Sequence, residues 1–258
     1  MAMHRITVIG LKQCLVGLLG VVSCTALASV GYADPPQGFT SLFDGESFSG
    51  WVLPEGDNGH WKILDGVIDY DAASEAKGDK NLWTEKEYGD FILKMDWRIK
   101  KTTGHYNVPI VLSDGTHLQD GKGKAITIPL PNADSGIYLR GNSKSQINIW
   151  CWPIGSGEVY GYRMDKKMSP TVRAGVTPRV NGDNPVGQWN TFIIVMIGDR
   201  LTVINNGHTA LENAQLPGIP SKGRLAFQHH GGLRNGQYSP ASSLVQFRNI
   251  YIKELAAK

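Results

Sequence analysis

The chain has 258 residues and a formal charge of +3, with hydrophobic residues making up 41 % of it. That length suffices for one domain with a sizeable core. The near-neutral balance excludes a charge-driven binder of nucleic acid or of an anionic membrane surface.

The first predicted element is a targeting segment. Arg5 and Lys12 are its only basic residues, and an apolar run follows from Cys14 to Val30. Ala26-Leu27-Ala28 and Gly31-Tyr32-Ala33 offer small-residue cleavage points. This pattern predicts a secretory signal over residues 1–33 and export of a single domain, 34–258, to the periplasm or the extracellular space. Gly17, Gly20, Ser23 and Thr25 interrupt the run, which is short for a membrane anchor. No membrane span is expected after its removal. An alternative is lipid attachment at Cys24, where Val21-Val22-Ser23-Cys24 is loosely similar to a bacterial lipobox. Cleavage after Ala33 reduces the 26 basic residues to 24 against 23 acidic ones, a net of +1. It also leaves Cys151 as the one cysteine, so no intramolecular disulfide can form.

The remaining chain reads as all-β, with short strand-like runs punctuated by Gly, Asn and Asp. Trp61 to Tyr70 predicts a hairpin turning at Asp65-Gly66. Phe91 to Ile99 predicts a long strand with Phe91, Leu93, Met95, Trp97 and Ile99 on the core face and Lys94, Asp96 and Arg98 opposite. Thr102 to Asn132 and Lys166 to Gly187 read as long loops that could rim a site. Trp189 to Ile197 and Leu201 to Asn205 predict a hairpin around Gly198-Asp199. Leu225 to His230 and Leu244 to Ile252 are the last strands. Each sheet must bury one face, so the expected architecture is a two-sheet antiparallel sandwich.

Two adjacent segments stand out, Asp134 to Gly141 and Ser145 to Trp152. Strand alternation places Ile137 and Leu139 on one side of the first, with Tyr138 and Arg140 on the other. It does the same for Ile147, Ile149 and Cys151 against Gln146, Asn148 and Trp150. Cys151 is thus expected to be a buried, inert thiol. The opposite side combines Tyr, Arg, Gln, Asn and Trp. Planar hydrogen-bonding groups beside aromatic faces suit a sugar, whose hydroxyls need directional partners and whose C–H faces stack on rings.

FTSLFDGESFSGW (Phe39 to Trp51), WKILDGVI (from Trp61), TEKEYGDFILKMDWRI (from Thr84), DSGIYLRG, GEVYG (from Gly157), GQWN (from Gly187), GRLAFQHHG (from Gly223) and FRNIYIKEL (from Phe247) follow in order. The ordered set resembles the 3-keto-disaccharide hydrolase domain family over nearly the whole mature chain. The resemblance implies a concanavalin A-like jelly roll and cleavage of glycosides oxidised to a ketone at carbon 3. Such a ketone acidifies the proton on carbon 2. A base removes it, the group on carbon 1 leaves, and water adds back. The site needs a base, an acid and a partner for the enolate oxygen, not a pair of glycosidase carboxylates.

Under that reading Arg140, His230, Asp134 and Glu158 are the catalytic candidates. Tyr138, Gln146, Asn148, Trp150, Asp96 and Gln228 are the substrate-binding ones. Arg140 could hold the ketone or enolate oxygen, or instead form an ion pair with Asp96 or Asp134. His230, beside Gln228 on the non-core face, could act as a base, while His229 should point inward. At least one of Trp150 and Trp152 should be exposed enough to stack on a sugar. Trp51, Trp61, Trp83, Trp97 and Trp189 read as core or scaffold. No metal is assigned, although a divalent ion on His230 and a carboxylate is compatible with the pattern. Relatives read like E-V-Q-I-L-D at the second strand. Alternation sets Gln146 against that Glu, and another register places Ser143 or Lys144 there. The carboxylate is missing either way, which leaves a non-catalytic carbohydrate-binding module as the alternative to an enzyme acting on an oligosaccharide or glycoside.

Overall fold

The computed structural model describes residues 34–256 apart from 72–75, 77, 103, 235–236 and 240–243. The expected signal segment and Cys24 lie outside the described residues. The chain runs through β1 (Thr40–Ser41), β2 (Trp51–Val52), β3 (Trp61–Leu64), β4 (Val67–Tyr70), β5 (Leu82–Tyr88) and β6 (Phe91–Lys101). It continues with β7 (His105–Pro109), β8 (Thr127–Pro131), β9 (Asp134–Leu139), β10 (Asn142–Trp150) and two short helices, α1 (Tyr160–Arg163) and α2 (Pro170–Gly175). Strands β11 (Asn190–Ile197), β12 (Arg200–Asn205), β13 (His208–Gln215), β14 (Gly223–Phe227), β15 (Gly232–Arg234), β16 (Gln237–Ser239) and β17 (Leu244–Glu254) complete it.

The fold is the expected two-sheet antiparallel jelly roll. An eight-stranded sheet has the order β13-β12-β11-β6-β17-β4-β3, with β1 added beside β17, and a five-stranded sheet has the order β10-β9-β14-β5-β2. Alternation decides which side chains enter the layer between them. Phe91, Leu93, Met95, Trp97 and Ile99 of β6 are buried, as are Ile137 and Leu139 of β9 and Ile147 and Ile149 of β10. Phe227 of the small sheet stacks on Phe247 of the large one, centroids 4.0 Å apart and rings 5° from parallel. Each such ring removed from water contributes about 1.5–3 kcal/mol, so this face-to-face layer holds the sheets together.

The hairpin β3–β4 turns at Asp65-Gly66, whose φ values of 50° and 75° suit a two-residue turn with left-handed residues. The long segment expected as a loop over 102–132 instead contains the β7–β8 hairpin. Pro109, Pro129 and Pro131 break the alternation that would have revealed it. Its apolar residues Val108, Val111, Ile128 and Leu130 do not join the main core. They pack with Trp150 and Trp152 in a separate small cluster.

Arg140 departs from the face expected of it. The strand ends at Leu139, which pairs with Asn142 across a two-residue turn. Arg140 and Gly141 form that turn with φ of 50° and 70°. The left-handed backbone takes Arg140 out of strand alternation and sends its side chain under the sheet edge, where the residue is 2 % exposed. There Nε donates to Gly89 O at 3.0 Å, and Nη1 donates to Gly198 O at 2.7 Å and Pro220 O at 3.0 Å. Nη2 donates to Asp90 Oδ1 at 2.9 Å. All three guanidinium nitrogens are therefore spent on the scaffold. The left-handed conformation costs a non-glycine residue roughly 1–2 kcal/mol, and the hydrogen bonds offset it.

Asp96 also leaves the site. It lies on the outer face of the large sheet, where Thr191 Oγ1 and Asn249 Nδ2 each donate to it at 2.7 Å, and Arg248 Nε approaches at 3.4 Å.

Substituting Arg140→Ala strips a buried charge from four acceptors, so a loss of about 3–5 kcal/mol of stability is expected. Denaturant unfolding measures it. A loss below about 1 kcal/mol would show that the cradle closes without the guanidinium.

Candidate functional site

The outer face of the five-stranded sheet carries the polar candidates in register. Gln146 on β10 pairs with Tyr138 on β9, Asn148 with Gly136, and Trp150 with Asp134. Tyr138 pairs with Ala226 on β14, beyond which Gln228 N donates to Gly136 O at 2.8 Å.

Gly136 is what lets these side chains meet. A Cβ there would stand 2.5 Å from Gln146 Nε2 and 2.5 Å from Ile147 O. Its bare backbone leaves a channel across β9, and Gln146 lies in it. Gln146 Nε2 donates to Gln228 Oε1 at 2.6 Å and to Ser135 O at 3.1 Å. Gln228 Nε2 in turn donates to the Tyr138 hydroxyl at 3.2 Å. The relay is directional. Gln146 spends both amide protons inside it, and Tyr138 accepts from it with its own proton left to give. Burial raises the Tyr138 phenol above its ordinary value, so that proton stays in place.

At the upper end of the face, His230 Nδ1 lies 3.3 Å from Asp134 Oδ2. Desolvation pushes the Asp134 carboxyl up to about 7. A carboxyl at that value exists in both protonation states near neutral pH, as a proton-transfer group must. Tyr106 of the β7–β8 hairpin closes this end. Burial, with Asp134 adding to it, pushes Tyr106 up to about 12, and its hydroxyl accepts from Trp152 Nε1 at 2.6 Å.

The structure thus brings together Asp134, His230, Tyr138, Gln146 and Gln228, and it separates the other candidates from them. Asn148 is buried, and its backbone pairs with a bulge in which Gly157 N donates to its carbonyl and its N–H donates to Glu158 O, both at 2.9 Å. The bulge re-aims Glu158. Its carboxylate is bound by Arg163 Nε, and both side chains are 0 % exposed. Arg163 also reaches Gly115 O and His117 Nε2. Glu158 is therefore a buried ion-pair partner rather than an accessible acid. Trp150 and Trp152 correct the expectation of an exposed stacking surface. They stack on each other, centroids 4.0 Å apart and planes 4° from parallel, beneath the hairpin, and both are buried.

Two tryptophans read as scaffold lie on outer faces instead. Trp83 is half-buried beside Tyr138, ring centroids 5.8 Å apart, and Trp189 lies against Arg98 and Arg248 on the other sheet. The pattern Leu82-Trp83-Thr84 held the signal for Trp83, since its neighbours are both core residues. Tyr106 had no such signal, because its segment reads as a loop. Cys151 is half-buried, and burial pushes its thiol up to about 11, so it stays un-ionised and a poor nucleophile. His229 points inward against Trp61 and Tyr70, as expected. Among the described residues no group of three or more His, Cys, Asp or Glu side chains is arranged to hold a metal ion. No described helix is long and apolar enough to cross a membrane.

Residues 38–253 match the family described as the 3-keto-alpha-glucoside-1,2-lyase-like domain. No curated protein matches the chain in sequence. Among solved structures it is similar to a candidate glycosyl hydrolase from Parabacteroides distasonis, with 20 % identity and a TM-score of 0.53 over 85 % of this chain and 95 % of that one. A further candidate glycosyl hydrolase from the same organism shares 18 % identity at a TM-score of 0.50, over 84 % of this chain and 99 % of that one. At these identities the likeness establishes the fold.

A carboxyl raised from 3.8 to about 7 holds its proton in the folded state where the unfolded chain has released it. The folded state then binds more protons between those values, so stability falls as pH rises through that window. Asp183 is raised by burial too and slopes the same way. The test is therefore the difference between wild type and Asp134→Asn in thermal midpoint against pH. The variant should lose less stability than wild type between pH about 4 and 7, and parallel curves would show that Asp134 is ionised in the fold.

Proposed function

Because the chain belongs to the 3-keto-alpha-glucoside-1,2-lyase-like domain family, we propose that it cleaves the glycosidic bond of a 3-keto-glycoside by elimination followed by hydration. The observation that carries this reading is the Asp134–His230 pair, set at the end of a face that also presents a buried hydroxyl donor in Tyr138.

The chemistry divides among these groups. Asp134, ionised and steered by His230, removes the proton on carbon 2. The electrons of that C–H bond form the carbon 1–carbon 2 double bond as the carbon 1–oxygen bond breaks. Charge builds on the carbon 3 oxygen as that bond breaks, while Tyr138, four residues along the strand and polarised by the amide relay, donates its O–H to a hydroxyl of the neighbouring sugar ring. The proton taken by the Asp134–His230 pair goes to the leaving oxygen, and water added across the double bond gives net hydrolysis. Gln146 supports this scheme as a neutral relay member, since the carboxylate expected at its position is not required to move a proton.

A second reading rests on that same residue. Gln146 in place of a carboxylate, with Glu158 locked to Arg163, favours a carbohydrate-binding module without turnover. One experiment separates the two. The protein is incubated with a 3-keto-disaccharide, with and without added divalent ion, and sugar release is followed. Release is expected, with a rate that rises as Asp134 ionises and levels above pH about 7. His230→Ala and Asp134→Asn should each reduce it by about 100-fold or more. Glycan binding without release under any condition would sink the enzyme reading and leave the binding module.

We also propose that the protein is exported after cleavage behind Ala33, in keeping with the signal-like segment 1–33. N-terminal sequencing of protein recovered outside the cytoplasm should begin at Asp34. Recovery of an intact Met1 terminus inside the cell would overturn this.

A further inference from the structure

Beyond Tyr138 the same sheet face continues into a cleft of about 430 Å³, lined by Asp79, Trp83, Glu87, Lys222 and Arg224 among others. Trp83 is held there by its own edge. Its Nε1 donates to Asp79 Oδ2 at 2.5 Å, and Asn81 fixes the other oxygen of Asp79, donating from N at 2.9 Å and from Nδ2. The indole is thus oriented by its polar atom, while the residue stays half-buried and its ring meets only Tyr138 among the described aromatic side chains. A ring fixed in this way presents a flat apolar surface at little entropic cost.

The charged residues of the cleft are unusual in a second respect. Arg224 and Glu87 are cross-strand partners of β14 and β5. Opposite charges directly across a ladder ordinarily pair, yet these two make no ion pair, and neither side chain has a hydrogen-bond partner among the described residues. A guanidinium donor and a carboxylate acceptor, side by side and unused, match the adjacent donor and acceptor hydroxyls of a sugar.

Distance assigns the cleft its place. Trp83, Ala226 and Tyr138 stand in register on three neighbouring strands, and Asp134 lies four residues before Tyr138. With strands about 4.8 Å apart and about 3.4 Å per residue, Trp83 is roughly 16 Å from Asp134 along the sheet. One sugar ring does not reach from one to the other. We propose that this cleft is a distal subsite that binds a neutral glycosyl unit of an oligosaccharide, stacked on Trp83 and hydrogen-bonded to Arg224 and Glu87. The assignment rests on the carbohydrate reading given above and extends it from a disaccharide to a longer substrate.

The test measures binding by calorimetry for maltotetraose, cellotetraose and laminaritetraose, each against its own disaccharide. At least one tetrasaccharide should bind about tenfold more tightly than its disaccharide. Trp83→Ala and Arg224→Ala should each shrink that gap and leave disaccharide affinity unchanged. Equal affinity for both lengths in wild type, or no binding by any tetrasaccharide, overturns the subsite. So does a gap that survives in folded Trp83→Ala. Should that variant fail to fold, Arg224→Ala, at an exposed position, decides by the same criterion. Turnover of a 3-keto-disaccharide is followed in parallel. Turnover without a length-dependent gap sinks the subsite alone, and a gap without turnover sinks the enzyme reading alone.

Discussion

The register of β9 against β10 is the constraint on which the candidate site depends. A slip of one residue would carry Tyr138 and Gln146 into the core and bring Ile137 and Ile147 to the surface. The hairpin turns at Arg140-Gly141, both left-handed, with Leu139 opposite Asn142, and an irregularity between Asn142 and Gln146 then sets Gln146 opposite Tyr138. Arg140 then ties the turn to three separate parts of the chain, at Gly89–Asp90, Gly198 and Pro220. Its importance is thus real but indirect. It supports the turn of the strand pair whose outer face carries the candidate site.

Gly136 plays the complementary part. The relay from Gln146 through Gln228 to Tyr138 crosses β9 only because one position on that strand has no side chain. A neutral amide at 146 suits the crossing better than a carboxylate would. An amide can donate to both Ser135 O and Gln228 Oε1, whereas an ionised carboxylate would face two acceptors and repel them. Gln146 is therefore consistent with its own surroundings, and the direction of the relay delivers a donor at Tyr138.

Much of this was legible in the sequence, for reasons that also mark where it stopped. Period-two alternation exposed the β6 strand and the two faces of β9 and β10, because a residue's face follows from its parity as long as the strand is regular. Arg140 was misplaced by that same rule, since a turn with positive φ breaks parity and the Arg-Gly pair was read as the continuation of a strand. Trp150 was misplaced for a different reason. Its face was right, but a hairpin rich in proline, read as a loop, folds over that face and buries it. Glu158 lies on a bulge, which alternation does not register. Asp134 and His230 were identifiable as polar residues at strand ends, but their approach to 3.3 Å is a long-range fact that no local pattern contains.

The burial of the other candidates narrows the proton chemistry. Of the four acidic residues weighed from sequence and structure, Glu158 is bound to Arg163, Asp96 to Arg248 and its neighbours, and Asp79 to Trp83 and Asn81. These three carboxylates are committed to their partners. Desolvation raises the proton affinity of Asp134 and leaves it as the candidate base. An elimination from a keto-sugar asks one group to take a proton from carbon and return it to oxygen, so it needs one carboxyl poised near neutrality more than a second one fully ionised. A single raised carboxyl beside a histidine meets that demand without a second carboxylate at position 146.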